Sequence, residues 1–206
     1  MSFFPLLLEL SDAPCLVAGG GPLGLRKART LLDHGAKVTV ADPAPCRELE
    51  DLPVTLLRRP VCPADVRGMA LVVDATGNGE ARQLLSTACR EGQIPFNSAC
   101  STEDGTVIFP AVFRRGRTVL AVSSLGASPI VSTQLRDALA ARVPEEMDAI
   151  LDAMADLRPL ARARFPEQKA RSGFLHRCLK EMLALSRPLT PGEAEEIIHE
   201  MKENTP

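Results

Sequence analysis

Residues 17–32 read VAGGGPLGLRKARTLL, and within them Gly19, Gly21 and Gly24 form the spacing G-x-G-x-x-G between an apolar run and a helical one. Each glycine has its own physical duty there. The first permits a tight turn, the second lets backbone approach a pyrophosphate, and the third lets helix and strand pack closely. The helix opened by Pro22 and Leu23 would offer free N–H groups and its positive dipole end to the phosphates. Asp42 closes the next apolar run, followed by Pro43. A carboxylate at that point accepts bonds from an adenosine ribose and repels a 2′-phosphate, and no arginine follows directly, so the reading is NAD rather than NADP. Glycine-rich turns also serve packing alone, and an Asp before Pro also suits a plain turn. The agreement of glycines, carboxylate and strand order is what favours a nucleotide.

Two later stretches could complete such a site. DATGN, residues 74–78, ends an apolar run at the edge where ligands of parallel sheets bind, placing Thr76 and Gly77 beside the nucleotide and Asn78 at a helix start. VSSLGASP, residues 122–129, sets Ser123, Ser124, Gly126 and Ser128 before another helix, where hydroxyls and N–H groups can meet a carboxylate. Capping by Ser128 alone would also explain that loop.

The elements that must position these residues are legible from periodicity. PCLVAG, AKVTVAD, VTLLRRP, MALVVDATG and IPFNSAC read as strands, interleaved with helices over PLGLRKARTLLDHG and NGEARQLLSTACREG. This is an α/β pattern, a Rossmann-type doubly wound parallel sheet. The β-rich stretch Thr106–Ser124 surrounds the basic turn RRGR, and helices follow, one running from Pro129 to about Val143 and one opened by a Thr190/Glu193 capping box. The expected division is a nucleotide-binding domain over 1–112, a small β-rich dimerisation region over 113–146 and a helical C-terminal domain over 147–206.

Composition narrows the function class. The 206 residues carry a formal net charge of −2 and no Trp or Tyr, which disfavours a nucleic-acid partner and the stacking it uses. The N-terminal apolar run lacks a basic leader and no run is long enough to span a bilayer, so no membrane association and a cytoplasmic location are expected. The six cysteines show no C-x-x-C pair or nearby His, so no metal site is expected. Within this mildly acidic chain, residues 113–187 are net +5, either a solvated set of helix faces or a surface for an anionic small molecule.

Taken together, CLVAGGGPLGLRKARTLL, GAKVTV, DATGN, IPFNSAC, VIFPAVF and LAVSSLGASP resemble the siroheme-synthase family, and more narrowly its precorrin-2 dehydrogenase module. The resemblance covers nearly the whole chain in order. It implies a homodimer that uses NAD to oxidise precorrin-2, an octacarboxylate, to sirohydrochlorin in siroheme or related tetrapyrrole synthesis. It also implies that Asn97 and Ser124 lie near the substrate. Arg114, Arg115, Arg117 and Arg136 are then candidates to meet the carboxylates.

Some members also insert iron or cobalt, and their characteristic aspartate follows the strand as N-x-x-D. Here that pattern is Asn97-Ser-Ala-Cys100. A free thiol of pKa ~8.5 is mostly protonated at neutral pH, which argues against metal insertion, while Cys100 remains a candidate catalytic residue for the oxidation. The alternative reading is a non-catalytic sensor of NAD or tetrapyrrole.

Overall fold

The computed structural model describes residues 3–99, 101 and 104–203. The chain forms two compact units, divided between Phe109 and Pro110.

The first unit is built on five parallel strands, β1 (Pro14–Ala18), β2 (Lys37–Ala41), β3 (Thr55–Leu57), β4 (Leu71–Asp74) and β5 (Phe96–Ser98). They lie in the order β3-β2-β1-β4-β5. Central β1 is apolar throughout because both its faces are covered. Cys15 and Val17 join Ala28 and Leu31 of α1 (Pro22–Leu32) in one core, and Leu16 and Ala18 join Leu85 and Cys89 of α2 (Gly79–Glu91) in the other. The chain reverses direction across the sheet between β1 and β4, so the connections at their carboxyl ends diverge and leave a crevice there.

The two helices expected here are the two found: the β2–β3 and β3–β4 connections carry only short 3-10 turns, Arg47–Leu49 and Pro63–Val66, so a single α-helix covers each face. One detail differs. Strand β3 stops at Leu57, before the arginines of VTLLRRP. Arg58 pairs with Glu50, and Arg59 makes a two-pronged bond to Asp65 (2.6 and 2.8 Å). That bond, from the Arg59 guanidinium, lowers the Asp65 carboxyl to about 2.

The second unit opens with an antiparallel hairpin, β6 (Ala111–Arg115) and β7 (Thr118–Val122), against which α3 (Pro129–Ala140) packs. Helices α4 (Met147–Arg164), α5 (Gln168–Leu185) and α6 (Pro191–Glu203) follow. Phe174, Cys178 and Met182, spaced four apart on α5, bury one stripe against Ile150 and Ala161 of α4 and Ile198 of α6. The Thr190/Glu193 capping box forms, with the Thr190 N–H donating to Glu193 Oε2 (2.7 Å) and the Glu193 N–H to Thr190 Oγ1 (3.3 Å).

Here too the boundaries shift. Helix α3 ends at Ala140 rather than Val143. The hairpin starts at Ala111 rather than Thr106, because residues 106–107 are held beside β5: Phe96 O accepts from the Thr106 and Val107 N–H groups (2.8 and 3.1 Å), and Thr106 Oγ1 accepts from the Phe96 N–H (2.8 Å). No helix among the described residues is long and apolar enough to cross a membrane.

Candidate functional site

The glycine turn follows β1 and occupies the crevice edge. Gly19 adopts φ +100°, and a Cβ there would stand 2.5 Å from Ala75 O, so both conformation and space require glycine. A Cβ on Gly24 would stand 1.9 Å from Gly19 O, which fixes how closely α1 approaches the turn. Gly21 is different: nothing lies within 4 Å of its would-be Cβ. As the N-cap of α1 it offers no side chain to the first-turn N–H groups, and Pro22 fills the first helical position. The N–H groups of Leu23 and Gly24 therefore have no intrahelical acceptor and face a space left open by Gly21. That arrangement fits a phosphate.

Asp42 stands just past β2 and is half buried. Its Oδ2 accepts from the Gly20 N–H and its Oδ1 from the Ala44 N–H, both at 2.7 Å. The carboxylate thus ties the glycine turn to the end of β2. A carboxylate has about four acceptor positions, so two remain for ribose hydroxyls. Pro43, next to it, is exposed.

DATGN forms the neighbouring wall. Asp74 is fully buried at the end of β4, and its Oδ1 accepts from both the N–H and the hydroxyl of Thr76 (3.0 and 2.7 Å). Thr76 Oγ1 in turn accepts from the Asn78 N–H (3.1 Å), and Asn78 Oδ1 caps α2 through Glu80 and Ala81. Gly77 sits at φ +67° with open space where a Cβ would be. On β5, Asn97 Nδ2 donates to Val107 O (3.0 Å). Asp74 Oδ2 and Asn97 Oδ1 are buried without a hydrogen-bond partner among the described residues. Cys100 lies outside the described residues. Cys15, Cys89 and Cys178 are buried, which pushes each thiol up to about 11 and keeps it protonated.

In the second unit, the loop before α3 brings the predicted serines together. Ser124 Oγ donates to Ser128 O (2.9 Å) and accepts from the Ser128 N–H (2.9 Å) and from Ser132 Oγ (3.0 Å). Ser123 Oγ accepts from the Leu125 N–H, and Ser128 Oγ from the Val131 N–H (3.4 Å). Leu125 and Gly126 both have positive φ, so the loop is held in one shape by its own hydroxyls.

The arginines separate by role. Arg115 donates to Val143 O, and Arg117 to Asp148 O and Asp152 Oδ1, so both brace the hairpin against the segments that follow α3. Arg114 is exposed and, among the described residues, bonds its own turn at Gly116 O. Arg136 pairs with Asp137 (2.6 Å) and stands ~12 Å along α3 from Ser128 at 1.5 Å per residue.

Two residues of the site were not expected from sequence: Gly20, whose would-be Cβ meets Asp42 and Pro45 at 2.8–2.9 Å, and Asp74 itself. The signal for Asp74 was a lone carboxylate closing the apolar run LVVD.

Comparison with known proteins agrees with this geometry. A family profile described as putative NAD(P)-binding matches residues 6–111, the glycine turn, both strand-end motifs and β5 included. Siroheme synthase of Methylococcus capsulatus is 37% identical over 184 residues, 87% of this chain and 39% of that protein. Siroheme synthase of Nitrosomonas europaea is 34% identical over 188 residues, with the same coverage. The chain therefore spans about two fifths of the length of these relatives. The solved structure of SirC, precorrin-2 dehydrogenase, superposes with a TM-score of 0.70 at 23% identity, over 98% of this chain and 100% of that one, and shares its fold. The turn at Gly19–Gly24, the walls at Asp42 and Asp74–Gly77 and the matched profile give one conclusion: the chain belongs to the putative NAD(P)-binding family.

Proposed function

We propose that the protein oxidises precorrin-2 to sirohydrochlorin with NAD, acting as a homodimer in the cytoplasm. The observation that carries the proposal is the open space over Gly21 at the free first-turn N–H groups, in a turn whose Gly20 is bonded to Asp42 and whose Gly19 sits against Ala75 and Thr76. The siroheme synthase relatives supply the substrate class. When bound, NAD supplies the hydride acceptor; the other product of the oxidation is a proton.

The chain's own residues have separable duties in this reaction. Leu23 and Gly24 N–H groups neutralise the pyrophosphate. Asp42 accepts the ribose hydroxyls with the acceptor positions its backbone bonds leave open. Thr76 and Gly77 close the other side. Asn97 and the preformed Ser123–Ser128 loop, with Arg114 and Arg136, are assigned to the substrate. Positioning dominates such chemistry, so Cys100 is assigned at most an assisting proton role. Metal insertion needs a base that a neutral thiol supplies poorly, so Cys100→Asp is expected to gain it.

Exposed apolar side chains support the dimer. Ile130, Val131, Leu135 and Leu139 on α3, with Val112 and Val119 on the hairpin, form a set of outward aliphatic groups in the second unit. Five described cysteines are free thiols, in keeping with a reducing compartment.

The direct test is anaerobic incubation with precorrin-2 and NAD. Sirohydrochlorin absorbance rising with NADH is expected, and NADH-free binding of both ligands would favour the sensor. A monomer in sedimentation would remove the dimer. For cofactor choice, Asp42→Ala is expected to weaken NAD by about ten- to hundredfold, the worth of a charge-assisted hydrogen bond, and to narrow the preference over NADP. Unchanged NAD affinity in that variant would remove Asp42 from the site.

A further inference from the structure

Lys27 lies on α1 three residues past Gly24, and its Cα–Cβ bond leans toward the helix N-terminus, the phosphate end. Its ammonium stands 4.1 Å from the centroid of the Phe109 ring and has no hydrogen-bond acceptor or carboxylate partner among the described residues. A ring face attracts a cation but replaces only part of its lost hydration. Burial, with Arg26 adjacent, accordingly lowers the ammonium from 10.5 to about 8. The segment that supplies Phe109 also supplies Val107 O to Asn97, whose Oδ1 is buried without a donor among the described residues. One short segment thus braces an unpartnered cation and, among the described residues, an unpartnered acceptor, and residues 106–107 are locked to β5 by four hydrogen bonds, the one to Asn97 included.

A partly desolvated cation held over a ring, with no counter-charge, is costly to the folded chain and is arranged to receive one. We propose that Lys27 binds a ligand oxyanion, either a phosphate of the dinucleotide or a carboxylate of the tetrapyrrole. This rests on the proposed function for the identity of the two ligands.

The test uses the full chain as wild type, Lys27→Met and Lys27→Arg, each titrated with NAD by calorimetry and with uroporphyrin, an eight-carboxylate porphyrin, by fluorescence. Lys27→Met is expected to weaken one of the two by about tenfold or more, with a melting temperature equal to or above wild type. Lys27→Arg is expected to restore that affinity to within about threefold. Loss in the NAD arm assigns the phosphate, and loss in the uroporphyrin arm assigns the carboxylate. Equal affinities for both ligands in Lys27→Met overturn the proposal. So does failure of Lys27→Arg to restore binding, since packing on Phe109 is then the cause, and so does a wild type that binds neither probe. Precorrin-2 turnover is read separately: its absence removes the proposed reaction without altering what the two titrations say about Lys27.

Discussion

Gly24→Ala is expected to destabilise the protein by about 3 kcal/mol or more and to weaken NAD binding beyond measurement. The added carbon would meet Gly19 O at 1.9 Å and Gly19 C at 2.8 Å. Overpacked cores usually yield by turning a side chain, but here the obstacle is backbone. That backbone cannot retreat, because Gly19 donates its N–H to Ala41 O (2.9 Å) and sits against the Ala75–Thr76 peptide. Helix α1 must therefore move away from β1, which pulls Ala28 and Leu31 out of the core they share with Val17 and Val38. Chemical denaturation and a parallel NAD titration check both parts. A variant as stable as wild type would show that α1 is not held against the turn.

Phe174→Ala is expected to cost about 3–5 kcal/mol, the range for a large aromatic removed from a closed core. Phe174 is fully buried on α5, with its ring 5.5 Å from that of Phe165, among Ile150, Met182 and Ile198. Tilted aromatic pairs add about 0.5–1.5 kcal/mol beyond burial, so the cost should fall toward the upper end. Denaturation followed by circular dichroism is the appropriate reading, because the second unit carries most of the long helices. A loss under about 1 kcal/mol would mean that α4 and α6 collapse into the space, contrary to the tight packing seen here.

The sheet and the glycine turn were legible in the sequence because local pattern decided them. Strand β1, buried from Cys15 to Ala18, reads as an unbroken apolar run, α1 carries Gly24, Ala28 and Leu31 on one stripe, and the caps at Asn78, Ser128 and Thr190 each mark a helix start by their own hydrogen bonds. What stayed hidden depends on contacts distant in sequence. Arg115 and Arg117 read as a free basic turn, yet their partners stand 28 to 35 residues later. Residues 106–107 read as the beginning of the hairpin, but Phe96 holds them beside β5. Nothing in the local pattern sets Lys27 apart; what does is its contact with Phe109, 82 residues later at the end of the first unit.

Asp42 is an intermediate case. Its place at the end of β2 was expected from spacing, whereas its bonds to the Gly20 and Ala44 N–H groups were not. Those bonds give it a second duty, since they hold the turn that its free acceptor positions would serve.

The central claim is that the turn after β1 is kept open at Gly21 for the phosphates of a dinucleotide. Gly21 separates that claim from packing, because it adopts φ −79°, which any residue accepts, and its would-be Cβ touches nothing. Calorimetric titration of NAD into Gly21→Ala, beside wild type and with melting temperatures for both, is the most direct measurement. The expected result is a melting temperature within about 2 °C of wild type and NAD binding weakened about thirtyfold or more, as a methyl takes the place of the phosphate. Wild-type affinity in a variant of wild-type stability would contradict it.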